Sequence, residues 1–143
     1  MIVQDIPRFR ANYTAELRPT GHLHEGKFGK FTASGEIALA TSSSDIFGII
    51  SEPDSQLAQI CGNTTGATLI PYTFGGVVDV QLGANPGVIS KGITKLKLNS
   101  DSTVSAATGA SGEIIVAMAM QNVTAQTAGQ LVSAIMLPPS TKP

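Results

Sequence analysis

The segment Gly112 to Pro138, GEIIVAMAMQNVTAQTAGQLVSAIMLP, does most to restrict what this chain can fold into. Two apolar runs, Ile114 to Met120 and Leu131 to Leu137, flank a polar and small stretch that includes Asn122, Thr124, Thr127 and Gly129. Runs this short suit strands, since helices usually need roughly ten to twelve residues, and the glycine-bearing connection has turn chemistry. The pattern therefore predicts two β-strands joined by a turn. In the first run Ile114, Val116, Met118 and Met120 alternate with Ile115, Ala117 and Ala119, so both faces are apolar. A half-solvated strand would alternate apolar with polar. The expectation is a strand covered on both sides: by the domain core on one, and by a subunit contact through Ala117 and Ala119 on the other.

The rest of the chain repeats this grammar. From Gly26 onward, apolar stretches are cut by glycine-bearing turns: Glu36–Thr41, Ile46–Ile50, Ala67–Phe74, Val77–Leu82, Ile93–Leu98 and a short strand at Val104. Glu36–Thr41 and Ile46–Ile50 read as a small hairpin or corner, and Gln56–Cys61 as either a helical turn or a strand. Pro71 places its strand at an edge or a bulge, because proline cannot donate to a ladder. Val78, Val80 and Leu82 share one face opposite Asp79 and Gln81, and Leu96 and Leu98 oppose Lys95 and Lys97. Many short strands without long helical patterns predict an all-β fold, a small β-barrel or β-sandwich. Residues 1–25 differ. Pro7, Pro19, charges of both signs and isolated apolar residues show no sustained period, which predicts an extended N-terminal arm (1–25) before a β-rich domain (26–143). Arg8, Phe9, Arg10, Tyr13 and Leu17 are the arm's candidate anchors on a partner, since arginine and aromatics are enriched at interfaces.

Charge narrows the function classes. Only 13% of the 143 residues are Asp, Glu, Lys or Arg, against about 25% in an ordinary domain. The formal net charge of −1 lacks the basic excess of a dedicated nucleic-acid binder. Residues 55–78 carry no charge, and Glu113 is the only one between residues 102 and 141. Such spans suggest surfaces that meet another protein; the plainer alternative is a β-protein kept in solution by hydroxyls. A lone cysteine, Cys61, forms no internal bridge and suits synthesis in a reducing cytoplasm. The first residues lack the apolar core of a signal peptide, and no apolar run reaches the ~20 residues of a membrane span.

Catalytic and binding motifs fail at decisive positions. Gly21-His-Leu-His-Glu-Gly26-Lys27 approaches a phosphate-binding loop, but Phe28 stands where a hydroxyl would bind magnesium, and Gly29 and Gly35 oppose a following helix. His22 and His24 with Glu25 fall short of the four ligands of a structural zinc site and read as solvated or interface histidines. Cys61, in an uncharged stretch, reads as a buried thiol. Glu52 and Asp54 around Pro53 read as a solvated turn, and Lys91, Lys95 and Lys97 as a solvated strand face. No nucleophile elbow is present. The Asn12, Asn63 and Asn122 sequons read as chance in a Thr-rich chain. The expectation is no catalytic residue, no cofactor and no metal.

The order of elements from Gly26 to Pro138 resembles the capsid decoration, or cement, proteins of tailed bacteriophages, a family some of whose members carry a legacy phage-recombinase label. The resemblance rests on Gly35-Glu-Ile-Ala-Leu-Ala-Thr41, Phe47-Gly-Ile-Ile50, Gly76-Val-Val-Asp-Val80, the Gly87-Val-Ile-Ser-Lys-Gly92 turn leading to Leu96, and the closing pair Ile114–Met120 and Gly129–Leu137. It implies a β-protein on the outer surface of an expanded phage head, commonly a homotrimer, clamping subunits of the major capsid protein. It implies no enzyme, no nucleic acid and no membrane. A β-rich surface fibre or adhesin module of a virion is the alternative from the same composition, and a recombinase-type nucleotide- or DNA-binding enzyme is the third.

Overall fold

A computed structural model describes residues 9–18, 21–52, 66–124 and 127–143, and these form an all-β protein. The strands are β1 (Phe9–Asn12), β2 (Phe28–Phe31), β3 (Ile37–Leu39), β4 (Gly48–Ser51), β5 (Gly66–Pro71), β6 (Val77–Gln81), β7 (Lys95–Leu98), β8 (Val104–Ala106), β9 (Ile114–Ala119) and β10 (Leu131–Thr141), with one 3-10 turn at Ala15–Leu17. Two antiparallel five-stranded sheets result, in the orders β1-β5-β4-β2-β3 and β6-β10-β9-β7-β8. Each sheet curls until its edges meet. A parallel bridge between Tyr13 and Ile37 joins the end of β1 to β3, and another between Leu82 and Val104 joins the end of β6 to β8. Curling removes the open edges that short strands would otherwise expose.

Two cores follow from the two rolled sheets. The first sheet encloses Tyr13, Ile37, Ile50, Ala67 and Leu69. The second encloses the larger core, built on Val80, Leu82, Leu96, Val104, Val116, Val132, Ala134 and Met136. Phe28, Ala40 and Ile49 from the first sheet complete it, so the outer side of β2 and β4 is plastered against the second sheet. Neighbouring residues Ile49 and Ile50 consequently serve different cores. β4 is thus buried on both faces, a shared wall. Cross-hydrogen bonds fix the join: Phe28 N–H donates to the Ser102 carbonyl at 3.1 Å, and the Ser102 hydroxyl donates to the Ala40 carbonyl at 2.5 Å.

β2 is absent from the strand pattern because Gly29 interrupts its apolar run. Gly29 sits there for space: an added Cβ would stand 2.7 Å from Leu69 and 2.8 Å from Ile50. At Gly48, directly opposite it, an added Cβ would meet the Ile70 carbonyl oxygen at 1.9 Å. Of the two readings of Glu36–Thr41 with Ile46–Ile50, a hairpin or a corner, the hairpin is corrected, since β3 and β4 do not pair and β2 lies between them. Pro71 also departs from expectation. β5 is an interior strand, and Pro71 ends it one step beyond Ile70, where the described ladder to β1 has stopped at Leu69. The readings on Gln56–Cys61, Cys61 and Asn63 lie outside the described residues.

The closing pair forms as the pattern predicts: β9 and β10 are antiparallel neighbours. Both carry irregularities at one level. Leu96 pairs with Ala117 and Lys97 with Ile115, so Val116 is an extra residue on β9. Met136 pairs with Ala117 and Ser140 with Ile115, so β10 accommodates two extra residues around Pro138 and Pro139. The Tyr72 hydroxyl lies between the carbonyls of Val116 and Leu137 and can donate its one proton to either. Burial pushes that phenol up to about 12, so it remains a donor at neutral pH.

Candidate functional site

Residues 9–17 are structural in this chain. β1 pairs with β5, from Phe9 opposite Leu69 to Asn12 opposite Gly66. Tyr13 is 2% exposed in the first core, and half-buried Leu17 packs against the same cluster. Tyr13, expected as a partner anchor, is therefore corrected to an internal one, because closing the first sheet buries it, while Leu17 gives part of its surface to the same core. Phe9 is half exposed, with its ring edge-on to Phe47 at 5.4 Å, and Arg10 is exposed. Arg8 lies outside the described residues.

Tyr13 leads to a desolvated polar cluster. Its hydroxyl donates to Glu52 Oε1 at 3.0 Å, and the backbone N–H of His24 donates to the same oxygen at 2.6 Å. The N–H of Glu52 donates to the Glu25 carboxylate. The Gln81 amide donates to the carbonyls of Leu23 and Glu25 at 3.1 and 2.9 Å. The expected solvated carboxylate at Glu52 is thus corrected: it is 8% exposed and ties β1, the 21–26 loop and the end of β4 together. Its Oε2 and His24 Nδ1 are buried without a hydrogen-bond partner among the described residues. Burial, and secondarily the Glu25 charge, raises the Glu52 pKa against the hydrogen bonds that lower it. Burial, with Lys27 nearby, lowers that of His24, and burial beside Glu52 raises that of Tyr13. A cleft of about 450 Å³ opens beside the cluster, lined by His22, Glu25, Glu52, Gln81, Gly129 and Leu131. Through these bonds Glu52 fastens three segments.

The glycine string before Lys27 runs into strand β2, with Phe28 fully buried, so it lacks the helix that a phosphate-binding loop feeds. Among the described residues no group of three His, Cys, Asp or Glu side chains is disposed to hold a metal ion, and no helix is long and apolar enough to cross a membrane.

Glu113, the lone charge of its span, anchors a second polar cluster. Its carboxylate accepts the N–H groups of Thr108 and Gly109, the Thr108 hydroxyl and Lys97 Nζ at 3.1 Å. The Thr108 N–H first, then the Lys97 and remaining hydrogen bonds, hold its pKa down at about 2 against burial. Lys97, expected on a solvated face, is spent in this pair.

The outward face of the second sheet is the larger candidate surface. The extra residue at Val116 shifts the alternation of β9, sending Val116, Ala117 and Ala119 inward and leaving Met118 and Met120 outward and partly buried. The expected subunit contact through Ala117 and Ala119 is corrected, for both are 0% exposed within their own core. A lateral row crosses four strands, from Val77 through Ile135 and Met118 to Lys95. At its β6 end Val77 is 62% exposed, and the adjoining turn carries Phe74 at 70%. At its β7 end lies a groove of about 720 Å³, rimmed by Val88 and Ile93, both more than 75% exposed, with Lys95 and Lys142. Of these residues Phe74 and Val77 lie in the uncharged span 55–78, whereas Val88, Ile93 and Lys95 lie outside both spans, and the bulge that orients β9 has no residue signature.

No family model matches the sequence, and no curated protein matches it closely enough to show a relationship.

Proposed function

We propose that this chain is a capsid decoration protein, a non-enzymatic β-module that binds the outer surface of a phage head as a homotrimer and clamps neighbouring major capsid protein subunits. The observation that carries the reading is the outward face of the second sheet. Phe74, Val77, Val88 and Ile93 stand out from a rigid, rolled scaffold in a chain with few charges to keep such a face wet. Large apolar side chains grouped on a rigid surface are what a protein partner buries. The resemblance in element order supplies the partner: a capsid shell, in which one decorating unit touches several subunits and gains avidity from effective concentration.

The mechanism is mechanical. A protein that binds only the assembled shell stabilises it through linkage, by an amount set by its concentration relative to its dissociation constant. Such a role asks for preformed surfaces, and two rolled sheets around full cores provide rigidity. The test is heat challenge of purified heads with and without the protein. Decorated heads are expected to release their contents at a higher temperature; equal resistance at full occupancy overturns the reading.

A further inference from the structure

The cleft where the 21–26 loop meets the ends of β4 and β6 is lined by polar groups that accept hydrogen bonds. Glu52, 8% exposed, forms part of its wall. Oε1 of that carboxylate is taken by the Tyr13 hydroxyl and the His24 N–H, whereas Oε2 is buried with no donor among the described residues. Glu25 is the second carboxylate of the lining and already accepts the Glu52 N–H. Gln81 spends both amide hydrogens on the carbonyls of Leu23 and Glu25, so its remaining polar side-chain atom is also an acceptor. Among the described lining residues, His22 alone can carry positive charge. Glu52 forms no ion pair with a described residue. Burial first, and the Glu25 charge after it, raise its pKa against the hydrogen bonds that lower it, as expected of a carboxylate beside another in a dry site.

We propose that this cleft receives the guanidinium of an arginine side chain carried by a partner protein. A guanidinium offers five N–H donors in one plane and accepts nothing, which matches a lining of acceptors. It can donate to Glu52 Oε2 while facing the Glu25 carboxylate, and such charge-assisted bonds are stronger than any a neutral ligand makes. A metal ion matches less well, since no three His, Cys, Asp or Glu side chains among the described residues are disposed to hold one. Leu131, 39% exposed, gives the cleft an apolar wall for the alkyl stem. The volume of about 450 Å³ lies toward the small end of ligand clefts, roughly 300–1,000 Å³, and suits one long side chain rather than a length of peptide. Leu23, 59% exposed on the 21–26 loop, adds apolar surface that a protein carrying the arginine would cover and a free amino acid would not. An arginine seated in a desolvated pocket is a common hot spot of protein interfaces. None of Phe74, Val77, Val88 and Ile93 lines the cleft, so the site stands apart from the face assigned to the capsid.

The test is titration of the full chain at neutral pH with the tripeptide acetyl-Gly-Arg-Gly-amide, read by calorimetry and by amide NMR shifts. Saturable binding is expected, with a dissociation constant of roughly 1 mM or tighter and the largest shifts at Gln81, Gly129 and Leu131. The same tripeptide with citrulline, the neutral isostere of arginine, should bind at least about tenfold more weakly, the scale of losing a charge-assisted contact. Glu52→Gln keeps an acceptor for Tyr13 and His24 and removes the charge. Leu131→Lys places a tethered ammonium in the cleft and leaves Glu52 untouched. Each should weaken binding at least about tenfold, and Lys91→Ala, exposed and outside the cleft, should not. Circular dichroism melts show which variants are folded, and Leu131→Lys, at a partly exposed position, carries the test if Glu52→Gln unfolds. No saturation by the arginine tripeptide overturns the proposal, as does equal binding of the citrulline form or undiminished binding to Leu131→Lys. Free arginine binding as tightly as the tripeptide overturns the assignment to a partner protein. No capsid enters the titration, so its outcome is separate from that of the heat challenge.

Discussion

Glu52 carries the sharpest consequence at the scale of single residues. Its carboxyl is desolvated, holds Tyr13 and His24 on one oxygen and leaves the other without a donor among the described residues. Its folded pKa lies above the ordinary 4.5. Between these values the folded state binds more protons than the unfolded one, so this group's contribution to stability falls as pH rises from about 4.5 through the folded pKa. Glu113 acts in the other direction: with a folded pKa of about 2, its contribution is present above 4.5 and lost as pH falls through 2. Glu52→Gln keeps an acceptor for both donors and removes the titration. Urea midpoints between pH 4 and 8 should therefore decline less with pH in Glu52→Gln than in wild type; an unchanged slope would show that Glu52 does not titrate with folding. None of this was legible in the sequence, where Glu52 beside Pro53 has the composition of a solvated turn. Its burial depends on Tyr13, thirty-nine residues earlier.

At the scale of the element, β9 shows how one extra residue reassigns a strand. Its run is apolar on both faces, and strict alternation would place Ala117 and Ala119 on the face opposite Val116. The unpaired Val116 breaks the alternation, and Tyr72 supplies a donor for the carbonyls at the break. The alanines then fit where two rolled walls come close, and the longer Met118 and Met120 turn outward. The faces should answer differently to a charge. Ala119→Glu buries an unpaired carboxylate and should cost several kcal/mol, roughly the penalty for an uncompensated polar group in a core, enough to unfold the chain. Met120→Glu, on the outer face, should stay within about 0.5 kcal/mol of wild type. Chemical denaturation of both variants checks this, and comparable losses would contradict the assigned faces.

At the scale of the whole molecule, residues 9–17 belong to the first rolled sheet rather than to an arm beyond it. β1 extends the sheet past β5, and the Tyr13 bridge to Ile37 closes it. Removing residues 1–17 should therefore open the first core and expose Ile37, Ile50 and Leu69. The expected result is a lower thermal midpoint and binding of a hydrophobic dye. A truncated chain as stable as wild type would show that the closure is dispensable. The second sheet contains no strand from the described residues of this region and should retain its amide protection longer.

The sequence alone determined the class of fold. Glycine punctuation at strand-length intervals, and alternation in Val77–Leu82 and Lys95–Leu98, are local properties set by side-chain period and backbone freedom, and β6, β7, β9 and β10 form where those properties place them. Only the tertiary structure decided which strands neighbour which, that β4 divides two cores, that β2 forms across a glycine, and which way β9 faces. Those outcomes depend on contacts between residues far apart in the chain: Gly29 against Leu69 and Ile50, Tyr72 against Val116 and Leu137, Glu52 against Tyr13. A local pattern reports how a segment divides its apolar and polar faces. What covers each face is fixed when distant segments compete for the same buried volume, and that competition is settled only in three dimensions.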